Sequence, residues 1–242
     1  MRSQRENNIL GIARESEKVV ARDSNHLKQI IKDRISEFGY DCDLNDIDVS
    51  HITDMSMLFY NSKFDGDISE WNVSNVKSMR QMFDNSRFNG DISSWNVSSV
   101  EDMSFMFYNS IFNRDISRWN VSKVNYMNYM FSGSYFNSDI SQWDVSSVEN
   151  MRGIFSDSDF NGDISNWDVS NVRDMSGMFW YSDFNNDISN WNVSKVISMR
   201  FMFNYSLFNG DISNWDVSKA RLSTFMFKGS PLEGHEPSWY YD

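Results

Sequence analysis

Apolar residues return along most of this chain at a fixed interval. Trp71, Trp95, Trp119, Trp143, Trp167, Trp191 and Trp215 are spaced by 24 residues, as are Phe64, Phe88, Phe112, Phe136, Phe160, Phe184 and Phe208. One period earlier lie Tyr40, Leu44 and Ile47, so the array begins near Tyr40, and Phe227 and Ser230 complete an eighth unit. Eight units of 24 residues account for 192 of the 242 residues. Within the unit 160–183 (FNGDISNWDVSNVRDMSGMFWYSD), Ile164, Trp167 and Val169 end in the alternation of a short half-buried strand. Val172, Met175, Met178 and Phe179 then recur at threes and fours, which predicts a short helical or 3₁₀ turn or a loosely wound return.

One strand, one turn and one return per 24 residues describe a coil of a solenoid. A single coil is too small to bury its own apolar face and must stack on its neighbours. With parallel strands about 4.8 Å apart, eight coils make a rod or shallow arc roughly 35–40 Å long. An unbroken column from Phe59 to Phe227 and two neighbouring Met columns are expected to fill its interior rather than hold a cofactor. The ends need covers. Asp23 and Ser24 are helix-capping types and Gly39 is a stop; between them Leu27, Ile30, Ile31, Ile35 and Phe38 share one helical face. That helix is expected to cap the first coil, with a strand over 18–21 before it and a polar, loosely ordered stretch over 1–11. Pro231, Gly234 and Pro237 break the pattern, and Leu232, Trp239 and Tyr240 are expected to close the last coil. The organisation read from the chain is an N-terminal segment and capping helix over 1–39, a solenoid over 40–231 and a C-terminal cap over 232–242.

The repeated pattern F-N-x-D-I-S-x-W-[ND]-V-S-x-V-x-x-M-x-x-M-F-x-x-S, over residues 40–231, resembles the short tandem repeat of bacterial surface proteins and mycoplasma lipoproteins, a domain of unknown function usually grouped with BspA-like leucine-rich repeats. I-x-x-W-x-V is similar to the strand of leucine-rich repeats. The resemblance implies a right-handed solenoid that serves in adhesion or protein binding at a cell surface.

Composition narrows the chemistry. The formal net charge of −12 disfavours nucleic acid or anionic lipid as a partner. No apolar run approaches a membrane span and residues 1–23 lack a signal-peptide core, so the default compartment is the cytoplasm. A lone Cys42 excludes an intramolecular disulfide framework, and its turn position predicts an ordinary, solvent-accessible thiol. Phosphate-binding Gly loops and zinc-type Cys/His clusters are absent from the sequence, and the three histidines have no catalytic spacing, so no enzyme, cofactor or metal site is expected.

Eight aspartates (Asp43, Asp67, Asp91, Asp115, Asp139, Asp163, Asp187 and Asp211) share one column. Stacked carboxylates repel by roughly 1 kcal/mol each even in water. Backbone donors in Asx turns are the expected remedy, and calcium between coils the sharper alternative. The column of Asn72, Asn96, Asn120 and Asn192 alternates with Asp48, Asp144, Asp168 and Asp216, which points to a short acceptor side chain and makes the N-V-S sequons incidental.

Function in a repeat protein resides where columns vary. One column on the return reads Met57, Gln81, Phe105, Tyr129, Gly153, Gly177, Phe201 and Phe225. The candidate partner-binding residues are Phe105, Tyr108, Tyr126 and Tyr129 as one patch and Trp180, Tyr181, Phe201 and Tyr205 as another. The expected function is a non-enzymatic scaffold for protein–protein recognition or adhesion with an unknown protein partner. The alternative is an acidic rod that mimics nucleic acid and occupies a DNA-binding protein.

Overall fold

The computed structural model describes residues 18–241; the polar stretch over 1–11 lies outside them. Strand β1 (Val19–Val20) leads into helix α1 (Ser24–Phe38), and β1 pairs in parallel with β2 (Ile47–Asp48). Asp23 caps α1 by accepting the His26 N–H at 2.8 Å, and Gly39, at φ 90°, ends it. Leu27 and Ile31 are buried against the first repeat and Ile30 and Ile35 are partly buried, whereas Phe38 is 58% exposed. The apolar face of α1 is therefore one residue shorter at its C-terminal end than the spacing predicts. Among the described residues no helix is long and apolar enough to cross a membrane.

From there successive 24-residue units pair in parallel through one residue each, in the order Asp54, Ser78, Asp102, Tyr126, Asn150, Asp174, Ser198 and Leu222. The predicted strand lies elsewhere in the unit. I-x-x-W-x-V folds as two tight turns, closed in the second unit by the Trp71 N–H on the Ile68 carbonyl (3.2 Å) and the Val76 N–H on the Val73 carbonyl (2.9 Å). The reason is local. The Ser69 N–H is taken by the Asp67 side chain (2.9 Å) and the Ser74 N–H by Asn72 (3.2 Å), so the short acceptors withdraw the donors a ladder would need.

The inter-unit ladder runs instead along the return. In the second unit the N–H groups of Met79, Gln81, Phe83 and Asn85 donate to the carbonyls of Asp102, Ser104, Met106 and Tyr108, at 2.8–2.9 Å, and later units repeat this register. Intervening peptides close i to i−3 turns, as Met82 does on Met79 and Ser86 on Phe83. Such a path needs a left-handed residue every fourth position. Two columns supply it, one from Met57 to Phe225 and one through Asn61, Asn85, Asn109, Gly133, Asp157, Tyr181, Tyr205 and Gly229. Four peptide columns thus point their N–H groups toward the C-terminal end, and a fifth, starting with the Lys77 N–H on the Thr53 carbonyl, points the other way, as do the Arg87 N–H on Ser62 and the Leu207 N–H on Ser182. The ends of the majority direction are capped as helix ends are: Ser24 Oγ donates to the Asp54 carbonyl, and the Glu233 carboxylate accepts the Gly229 N–H at 2.8 Å.

Inside, the columns are stacks. Phe59 stacks face to face at 4.6 Å on Phe64, which opens the next unit, and lies 5.5 Å from Phe83, its counterpart there. Each Trp ring of the 24-residue column is pinned by its indole N–H on a carbonyl 27 residues earlier, as Trp95 is on Ile68 (3.1 Å). Trp239 extends this column rather than merely closing it: it stacks on Trp215 at 6.4 Å and donates to the Ile212 carbonyl at 3.0 Å. Its position 24 residues after Trp215 was the signal. Cys42 is buried, not solvent-accessible, and desolvation raises its thiol above the usual pKa, because its unit folds under the α1 cap.

The aspartate column is held by Asx turns. The serine two residues on holds Asp67, Asp91, Asp163, Asp187 and Asp211 below the usual carboxylate pKa, first through its backbone N–H and then through its hydroxyl. Among the described residues no group of three or more His, Cys, Asp or Glu side chains is placed to hold a metal ion. A carboxylate with a lowered folded pKa stabilises the fold above its unfolded value, near 4, and loses that contribution as pH falls through the folded value. Thermal midpoints are therefore expected to be level from about pH 7 to pH 5 and to drop progressively below about pH 4. A midpoint that stays level down to pH 2 would contradict this account.

Candidate functional site: an aromatic face with a cleft above Gly177

The outer surface of the return follows from its left-handed residues. Aromatic side chains of the first left-handed column pack against the next residue of that column. Phe105 stacks on Tyr129 at 4.9 Å and Phe201 on Phe225 at 5.8 Å. Tyr129 in turn covers Gly153, where an added Cβ would sit 2.3 Å from the Tyr129 ring.

The first candidate patch holds together in part. Phe105, Tyr108 and Tyr129 form one cluster, Tyr108 meeting the other two edge-on at 5.7 and 6.5 Å. Tyr126 stands apart, exposed, in the column that pairs the units between Asp102 and Asn150. In the second patch Trp180 meets Tyr181 edge-on at 5.3 Å and Tyr181 stacks on Tyr205 at 4.8 Å. Phe201 stacks instead on Phe225. All four residues of this second patch are between 42% and 50% exposed, which leaves ring faces open to a partner.

Between the patches the outer column lacks two side chains, Gly153 and Gly177, and a cleft of about 550 Å³ opens there. Tyr129, Gly177, Trp180 and Phe201 line it. A Cβ built on Gly177 would meet only the Trp180 Cβ, at 3.8 Å. Asn204 fixes the Trp180 ring by accepting its indole N–H at 3.1 Å while donating to the Phe225 carbonyl at 3.0 Å. Charge enters from three side chains that the column of aromatics did not announce. Arg152 Nε donates to the Tyr129 hydroxyl at 2.9 Å, and that bond, with the charge of Asp174 behind it, raises the guanidinium pKa further. Asp174 accepts the Ser176 N–H at 2.8 Å. Arg200 lines the same cleft. Arg80, Arg152 and Arg200 occupy one column at multiples of 24, a regularity readable in the sequence.

This arrangement has no nucleophile paired with a base; it brings together ring faces, two guanidinium groups and a glycine. The chain is a tandem-repeat protein in which one unit is copied and a few outward positions are varied. It belongs to the family described as a Mycoplasma protein of unknown function, DUF285, whose model matches residues 26–135, 109–181 and 133–238. No curated protein and no solved structure matches the chain.

Proposed function

We propose that the chain is a non-enzymatic solenoid scaffold, right-handed and of the BspA-like, leucine-rich-repeat-like kind, that recognises a protein partner through the aromatic side of its return segments. One observation carries this reading. Phe105, Tyr129, Tyr181, Phe201, Tyr205 and Phe225 all sit at positive φ, between 52° and 59°. A non-glycine residue there is uncommon, and bulky side chains fit the left-handed region worst. Asn61, Asn85 and Asn109 show that asparagine suits the same path. Half-exposed rings at such positions are poor choices for stability, and Tyr, Trp and Arg are the residues that dominate binding interfaces.

The test exchanges Tyr181, Phe201 and Tyr205 together for Asn. The variant is expected to melt at or above the wild-type temperature and to lose a partner that wild type captures from native-host lysate, in salt as well as without it. Capture undiminished in the triple variant sinks the reading. Capture abolished by moderate salt in wild type would favour nucleic-acid mimicry instead.

A further inference from the structure

The cleft above Gly177 is a gap in a stack. Rings fill the outer column on both sides of it, Phe105 and Tyr129 before and Phe201 and Phe225 after, with 4.9 and 5.8 Å between ring centres. Tyr129 covers the first missing place by leaning over Gly153; the second, above Gly177, is open. The repeat also shows what such a place ordinarily holds. Arg80 lies over the Phe105 ring, 5.4 Å from its centroid. Three repeats further on, Arg152 occupies the Arg80 position and Gly177 the Phe105 position, so the cation is retained where the ring is missing. Arg200 brings a second guanidinium to the same cleft, and the only carboxylate there, Asp174, already accepts the Ser176 N–H. On a chain of net charge −12, the cleft has two cations to one anion.

We propose that this cleft receives an aromatic side chain adjacent to a carboxylate on an extended segment of the protein partner, the ring completing the outer stack above Gly177 and the carboxylate binding Arg152 and Arg200. The inference rests on the recognition reading above and names the feature of the partner that is recognised. A ring alone would leave Arg152 and Arg200 to share Asp174 as the one carboxylate lining the cleft, and a carboxylate alone would leave the slot between Tyr129 and Phe201 empty. Guanidinium groups bind carboxylates by paired hydrogen bonds, and aromatic faces add stacking and cation–π attraction.

The probe is the tetrapeptide acetyl-Gly-Tyr-Glu-Gly-amide, titrated against the full chain while the Trp180 indole N–H is followed by NMR. A saturable shift in the millimolar range is expected. Replacing Glu by Gln, or Tyr by Leu, in the peptide is expected to weaken it about tenfold, as is Arg152→Gln or Arg200→Gln in the protein. Gly177→Phe restores the column residue and is expected to abolish the shift while the melting temperature holds, since Phe stands at the same φ at Phe105 and Phe201. Arg87→Gln, at an exposed arginine outside the cleft, should leave peptide binding unchanged. Absence of a saturable shift, indifference to either arginine, or an equal or stronger response to glucuronate would overturn the proposal, the last by making the cleft a site for acidic sugars. If the triple Asn variant loses the captured partner and Gly177→Phe keeps it, this inference falls and the recognition reading stands; if both keep it, the recognition reading falls first.

Discussion

Trp143→Ala is expected to lower the free energy of unfolding by about 3–5 kcal/mol, as is truncation of any other central tryptophan of the column. Trp143 is 4% exposed, lies against Phe131 at 6.2 Å and donates its indole N–H to the Ile116 carbonyl at 3.1 Å. Two effects compete for the larger share. Loss of the hydrogen bond is the smaller, because the Ile116 carbonyl keeps the bond it accepts from the Trp119 N–H at 3.1 Å and is not orphaned. The cavity is the larger: the rings on either side are held by their own columns and cannot collapse into it, so little of the lost packing is recovered. Trp143→Phe separates the two, and is expected to cost less than half as much. Trp239→Ala, at the end of the same column, should cost less than Trp143→Ala, since a terminal unit has one neighbour where a central one has two. Denaturant unfolding of the three variants checks the order; Trp239→Ala costing as much as Trp143→Ala would refute the stacking argument.

A charge under the N-terminal cap should act differently. In Leu27→Asp the carboxylate would stand at a site with no exposure, on the face of α1 that covers the first repeat. An unpaired charge in such a place costs several kcal/mol, more than docking one short helix returns, so α1 is expected to detach rather than the whole chain unfold. Units in a stack are coupled only to their neighbours, and the lesion should therefore stay near the end. Hydrogen exchange is expected to show amide protection lost over residues 19–60 and kept over 120–200, and the unfolding transition should broaden. Loss of protection by the same factor in every unit would show a single cooperative core instead.

Much of this was legible because repetition multiplies the signal. The copied Trp and Phe residues announce which side chains are inside, and the alternation of Asn with Asp at 72, 144 and 168 announces a short acceptor. Where the ladder runs was not legible. Ile164, Trp167 and Val169 have the spacing of a strand end, but Asp163 and Asp168 take the N–H groups of Ser165 and Ser170 at 2.9 and 3.0 Å and bend the segment into turns. The pairing falls on Arg173–Tyr181, whose apolar threes and fours read as helical because the left-handed residues Gly177 and Tyr181 stand four positions apart. The cleft was half legible: the glycines stood in the variable column, while the column of Arg80, Arg152 and Arg200 is regular in spacing but only the fold brings it to the missing ring.

Taken alone, the sequence determines the unit, its copy number to within the last partial turn, the core columns and the capping helix, since each follows from which positions exclude polar side chains in every copy. Only the tertiary structure decides which peptides carry the hydrogen bonds between units, and on which outward column a missing ring leaves a slot. The physical reason is direction. Spacing records that a side chain is apolar or absent, but whether it leans over its neighbour depends on the sign of φ, and the left-handed residues that set it here include Phe and Tyr, which composition would never place there.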